Sequence, residues 1–201
     1  MTSSFIAASG VGQFTSGTVT TAGFALGVAL LAVEHWRWYK GGAGAPKAAG
    51  PPGAAGGGGA ARDPKVLIPF WFGVTFGILM VACPSGLLGT GANFLRWGGN
   101  GAGGMVMSWM TGQHATTLAT ASAPALDGYG ATVVTALVIA LWWQRKQVAK
   151  LVRGKWWKGV LTGVLLCVST GTAAVVAQAV VGSTNNLGQW ALGSLVHGTL
   201  A

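Results

Sequence analysis

Four apolar runs dominate this chain, and they constrain its fold more than any other feature. They cover residues 18–35 (TVTTAGFALGVALLAVEH), 66–88 (VLIPFWFGVTFGILMVACPSGLL), 128–143 (GYGATVVTALVIALWW) and 159–181 (GVLTGVLLCVSTGTAAVVAQAVV). A helix of about 20 mostly apolar residues crosses the roughly 30 Å hydrocarbon layer of a bilayer. Backbone polar groups in lipid must be satisfied within the segment, so helices are the expected form. The alternating ten-residue signature of an outer-membrane barrel is absent. Hydrophobic residues make up 51% of the 201 and charged residues only 7%, whereas a soluble domain carries about a quarter charged. Such a chain cannot clothe a water-facing surface. Its 35 Gly and 10 Trp suit membrane helices and their interfaces. The expected fold is all-α: a polytopic membrane protein with four transmembrane helices arranged as two hairpins.

The net charge of +9 arises because Glu34, Asp63 and Asp127 are the only acids. Arg37, Lys40, Lys47, Arg62 and Lys65 lie between runs one and two. Arg145, Lys146, Lys150, Arg153, Lys155 and Lys158 lie between runs three and four, which leaves Arg96 alone on the other side. Positive residues mark cytoplasmic loops, so the chain is expected to sit N-out and C-out in a bacterial inner membrane. Its organisation then reads as an extracytoplasmic segment 1–17, a first hairpin 18–88, and an outer loop 89–127 with room for an interfacial helix. A second hairpin 128–181 and an outer tail 182–201 follow. The Gly/Ala/Pro tract within 41–65 reads as a disordered cytoplasmic linker, and 144–158 as a basic cytoplasmic turn. The N-terminus lacks the basic region of a cleavable signal peptide. Cys83 and Cys167 lie in apolar runs and read as membrane-buried thiols rather than a disulfide.

Trp36, Trp38, Trp142, Trp143, Trp156 and Trp157 flank the basic segments, as aromatic rings do at headgroup depth. Small residues four apart recur in the spans: Gly23 and Gly27, Gly73 and Gly77, Gly159 and Gly163, and Ala136 and Ala140. Such stripes let helices approach closely, within the chain or between copies. Pro84 is expected to bend or end the second span. The halves also echo one another. Gly89, Thr90, Asn93 and Trp97 match Gly182, Ser183, Asn186 and Trp190 at equal spacings, which suggests a parallel repeat or the recurrence of small residues wherever a helix leaves the outer interface.

No charged residue falls near the middle of a span, which counts against proton- or charge-coupled transport. Ser169, Thr170, Thr172 and Gln178 could line a pore or bond back to their own helix. Met105, Met107, Met110 and His114 offer soft ligands of a kind that suits Cu(I), but flexible Met side chains equally suit an interfacial helix, and no metal is assigned. His35 and His197 read as interfacial. No nucleophile–base pair, phosphate loop or metalloprotease motif is present, so neither an enzyme nor a cofactor is expected. The cations Arg145, Lys146, Lys150, Arg153, Lys155 and Lys158 are candidates for contact with anionic lipid or with DNA phosphates.

The Ala/Gly/Val-rich style, the four spans and the stretch WWQRKQVAKLVRGKWWK resemble the plasmid spread (Spd-type) membrane proteins of actinobacterial mobile elements. That resemblance implies a role in moving conjugative DNA beside a DNA-translocating ATPase, and it transfers no functional residue. The functional expectation is a non-enzymatic protein that self-associates or joins a membrane complex, in the conjugative case one for DNA transfer. A holin-like pore-former and a small-molecule channel or transporter are the alternatives.

Overall fold

The computed structural model describes residues 17–41, 64–83, 86–121, 123–143, 155–168 and 171–197. Six helices hold most of them. They are α1 (Thr21–Gly41), α2 (Ile68–Ala82), α3 (Gly86–Thr111), α4 (Gly128–Trp143), α5 (Lys155–Leu166) and α6 (Gly171–His197). A 3-10 turn, Pro64–Leu67, leads into α2. A small antiparallel ribbon departs from the all-helical expectation. In it β1 (Thr18–Thr20) pairs with β2 (Thr117–Thr120), with Thr18 opposite Thr120 and an irregularity between Val19 and Thr20. The first apolar run therefore begins as a strand and becomes helical only at Thr21. β-branched Thr-Val-Thr suits an extended segment, and Val19 is fully buried there.

Only Pro64–Ala82, among the described helices, is by itself long and apolar enough to cross a membrane. The second run does not continue to Leu88 as one helix. It stops at Cys83, whose backbone is extended, just before Pro84, a residue that lacks the N–H a helix needs. Gly86 then adopts a φ of 83° and α3 begins. The fourth run is likewise not a continuous helix over 159–181. α5 ends at Leu166, Gly171 takes a φ of 73°, and α6 leaves at 117° to α5. Left-handed φ is a conformation glycine adopts without a Cβ penalty. Residues 89–127, expected as an outer loop, are largely the 26-residue helix α3, and much of 182–201, expected as a tail, continues α6. Some glycines in these segments lie where a neighbouring segment occupies the space a Cβ would fill, as for Gly99 against Leu165 and Gly103 against the Ala22 carbonyl.

The centre of the molecule is α2 packed along α5, with α1 against α5 and α3 on one flank and α4 against α6 on the other. Sequence-adjacent hairpins are thus not the main packing units; the closest pair joins the two halves. Around it Phe70, Val74, Ile78, Leu79, Val134, Cys167, Ala177 and Val181 form one buried cluster. Phe76, Met80, Ala92, Val160 and Val164 form a second.

Contacts at the helix starts recur in both halves, although α1 packs on α5 more extensively than α4 packs on α2. Thr20 caps α1 by accepting from the Gly23 N–H at 3.1 Å, and Asp127 caps α4 by accepting from the Gly130 N–H at 2.7 Å. The Asn100 side chain of α3 accepts from the Thr20 N–H at 3.1 Å and sits on Gly23. The Asn185 side chain of α6 accepts from the Asp127 N–H at 3.3 Å and sits on Gly130. Gly103 lies against the Ala22 carbonyl as Gly188 lies against the Tyr129 carbonyl. This register pairs α1 with α4, α2 with α5 and α3 with α6. It also pairs Gly86 with Gly171, the two glycines that open α3 and α6. The sequence match of Gly89–Trp97 with Gly182–Trp190 is set about two helical turns away from it. That match aligns exposed Trp97 and Trp190, whereas the contacts align buried positions, Ala92 with Ala177 and Arg96 with Val181.

Candidate functional site

The site is built from glycine. Gly73 and Gly77 on α2 face Gly159 and Gly163 on α5, and all four are buried. A Cβ on Gly73 would strike the Trp156 carbonyl, and one on Gly77 the Val160 carbonyl. In return, a Cβ on Gly159 would strike the Phe70 carbonyl and one on Gly163 the Val74 carbonyl. The order 73 to 159 and 77 to 163 makes the helices parallel, crossing backbone on backbone. Gly23 and Gly27, the remaining pair singled out by spacing, serve the flank: Gly23 receives Asn100, and Gly27 receives Leu165 and Leu166.

Both central helices break at their C-terminal ends. Leu165 and Leu166 meet Gly27, six residues inside the start of α1, which is about 9 Å along the axis. α5 therefore stops short of the far end of the molecule. At twelve residues it is about 18 Å long. On the α2 side, the Ala82 carbonyl accepts from the Leu126 N–H at 3.2 Å, tying the break to the start of α4. Near the α5 break lies Arg96 of α3, 2% exposed, which donates to Asn93 at 3.0 Å, one turn before Gly99 that packs on Leu165. The fully buried Thr162 hydroxyl has no hydrogen-bond partner among the described residues.

The opposite end of the molecule gathers charge and aromatic rings from three elements. Glu34 of α1, 3% exposed, pairs with Lys158 of α5 at 2.8 Å and with Arg37 at 3.7 Å. Lys155 donates to the Val66 carbonyl at 3.4 Å. Lys155 and Lys158 thus belong to the first turn of α5 rather than to a loop, and both reach back onto the fold. Arg145, Lys146, Lys150 and Arg153 lie outside the described residues, as do Ser169 and Thr170. His35 stands edge-on to Phe70 and Trp71, Trp156 packs on Phe76 and Trp157, and Lys40 lies 4.8 Å over Trp36. Trp36, Trp143 and Trp157 are exposed, Trp38 is half-buried, and Trp142 lies in the last turn of α4.

Met107 and Met110 line an apolar groove of about 300 Å³ beside Leu26 and Ala29 of α1, while Met105 and His114 are exposed. Among the described residues, no three His, Cys, Asp or Glu side chains converge as metal ligands would. Cys83 and Cys167 are both free thiols. Sequence reasoning located the glycines through their spacing but missed Asn100 and Asn185, whose only signal is a shared N-x-x-G pattern. It also missed the Glu34–Lys158 pair, because 124 residues separate its members.

No family model matches the chain, and no curated protein or solved structure does either.

Proposed function

We propose that the chain is a non-enzymatic multipass protein of the cell membrane, N-out and C-out, whose two broken-helix units frame a path or binding site for a small solute. One observation carries this reading: α2 and α5 are short, parallel, glycine-crossed and broken at corresponding places in two repeated halves. Discontinuous helices in corresponding positions of a repeat are where channels and transporters place their solute, because freed backbone groups there can contact it. The four-span layout accommodates the breaks. α1 and α4 run toward the basic end, α2 and α5 rise from it, and α3 and α6 start from the breaks. Contact of Gln189 with Asp127 at 3.2 Å keeps the later part of α6 beside the start of α4, which agrees with an outer C-terminus.

This favours the channel or transporter over a holin-like pore and over a part in conjugative DNA transfer. The cations invoked for DNA either lie outside the described residues or, as with Lys155 and Lys158, make contacts within the fold. Assembly with further copies or with a membrane complex remains part of the proposal. The test is flux. Purified protein in liposomes should admit small solutes, and Gly171→Val, which strains the positive-φ residue at the α5 break, should cut the rate at least about tenfold, since left-handed φ is a genuine outlier for a β-branched residue. Flux of graded solutes equal to that of protein-free liposomes would overturn the reading.

A further inference from the structure

A lateral groove of about 270 Å³ opens between α1, α2, α5 and α6, lined almost wholly by apolar atoms, among them those of Val28, Leu31, Trp71, Leu166, Ala173 and Val176. The repeat supplies its internal control. In the register set by the matched contacts, Leu166 corresponds to Met80 and Val176 to Gly91. On that second side the Met80 methyl reaches within 3.2 Å of where a Gly91 Cβ would be, and Met80 is buried with Phe76, Ala92, Val160 and Val164. One copy of the groove is thus filled by the chain's own side chain, and the other is left open.

Leu31 and Trp71 place one mouth of the open groove at the basic end. The Leu31 carbonyl accepts from the His35 ring at 2.8 Å, and that ring stands edge-on to Trp71. Arg37 lies six residues beyond Leu31, about 9 Å along α1. Among the described residues, five cations (Arg37, Lys40, Lys65, Lys155 and Lys158) stand at this end against one carboxylate, Glu34. An apolar slot ending in net positive charge is complementary to one amphiphile, an apolar tail carrying an anionic head. Cations near an anionic leaflet attract its headgroups, and Trp at the rim suits the boundary between tail and head.

We propose that this groove is a specific site for one anionic phospholipid. An acyl chain lies along Val28, Leu166 and Val176, and the phosphate sits at the Arg37 end. The inference rests on the membrane reading above, and its test separates the two. If the full chain purifies as a monodisperse protein without detergent, the membrane reading itself fails.

In detergent, native mass spectrometry with phosphatidylglycerol and phosphatidylcholine of equal chain length should show one phosphatidylglycerol retained at least about tenfold more tightly. Filling the groove with Val176→Phe should lower that retention at least fivefold, and Val28→Phe serves if the first variant does not fold. Arg37→Gln with Lys40→Gln should bring phosphatidylglycerol down to the phosphatidylcholine level while the thermal transition is kept. Equal retention of both lipids would overturn the proposal. So would retention indifferent to both groove variants, equal binding of a short-chain phosphatidylglycerol, or a second copy of the chain in place of lipid.

Discussion

At the scale of single residues, the interface between α2 and α5 depends on absent atoms. Where a Cβ would meet a carbonyl of the facing helix, the helices must separate, and overpacking of this kind costs about 1–3 kcal/mol or more. Gly163→Ala should therefore lower thermal stability in detergent by at least about 2 kcal/mol. Gly182→Ala is the contrast: nothing lies within 4 Å of its would-be Cβ. There the better helix propensity of Ala should leave stability unchanged or raise it by about 0.5–1 kcal/mol. Equal effects in a circular-dichroism melt would remove the glycine argument.

Glu34 and Lys158 present a second asymmetry at this scale. Glu34 is 3% exposed and Lys158 39%. Lys158→Met leaves the buried carboxylate only the longer contact to Arg37 at 3.7 Å and should cost up to about 3 kcal/mol, since a buried charge short of its partner is the expensive outcome. Glu34→Gln leaves an ammonium that can reach water, and about 1 kcal/mol is expected. The double variant should recover part of the larger loss. A melt in which Glu34→Gln is the more damaging change would contradict the burial assigned to the pair.

Among the elements, the helix starts and the two Asn props act as matched parts. Asp127→Ala removes the cap of α4 and should cost about 1 kcal/mol. Asn100→Ala should cost more, about 2 kcal/mol, because its side chain also donates to the Thr18 carbonyl at 2.8 Å and receives the Thr20 hydroxyl. Hydrogen exchange should show the Thr18–Thr20 ribbon losing protection in that variant and the start of α4 keeping it. The reverse pattern would separate Asn100 from the ribbon. Element boundaries were only partly legible. Pro84 announces the end of α2, but nothing as plain marks the end of α5. Its VSTG stretch reads as apolar helix until Gly171 takes its left-handed backbone. Residues 89–127 read as an outer loop with room for an interfacial helix because they lie between apolar runs, and their many glycines lower helix propensity. Tertiary contacts that only a bare backbone permits outweigh that propensity.

For the whole molecule, the topology is tested by labelling. In cells, a cysteine at Gln113 should react with an impermeant reagent from outside, and one at Ala149 only after the membrane is opened, both in a background with Cys83 and Cys167 replaced. Labelling of both from the same side would break the four-span arrangement. The apolar runs, the charge asymmetry and the glycine spacings are local properties, and they are enough to call for helices, a basic end and close helix contacts. Which glycine stripe faces which is a non-local matter. Gly73 and Gly77 could have met Gly23 and Gly27 within the first hairpin. They meet Gly159 and Gly163 instead, while Gly23 receives Asn100 and Gly27 receives Leu165 and Leu166. The sequence by itself determined a helical, apolar, one-sidedly charged chain. The tertiary structure alone decided the cross-half pairing, since it depends on backbone-to-backbone contact between segments about 85 residues apart in chain order.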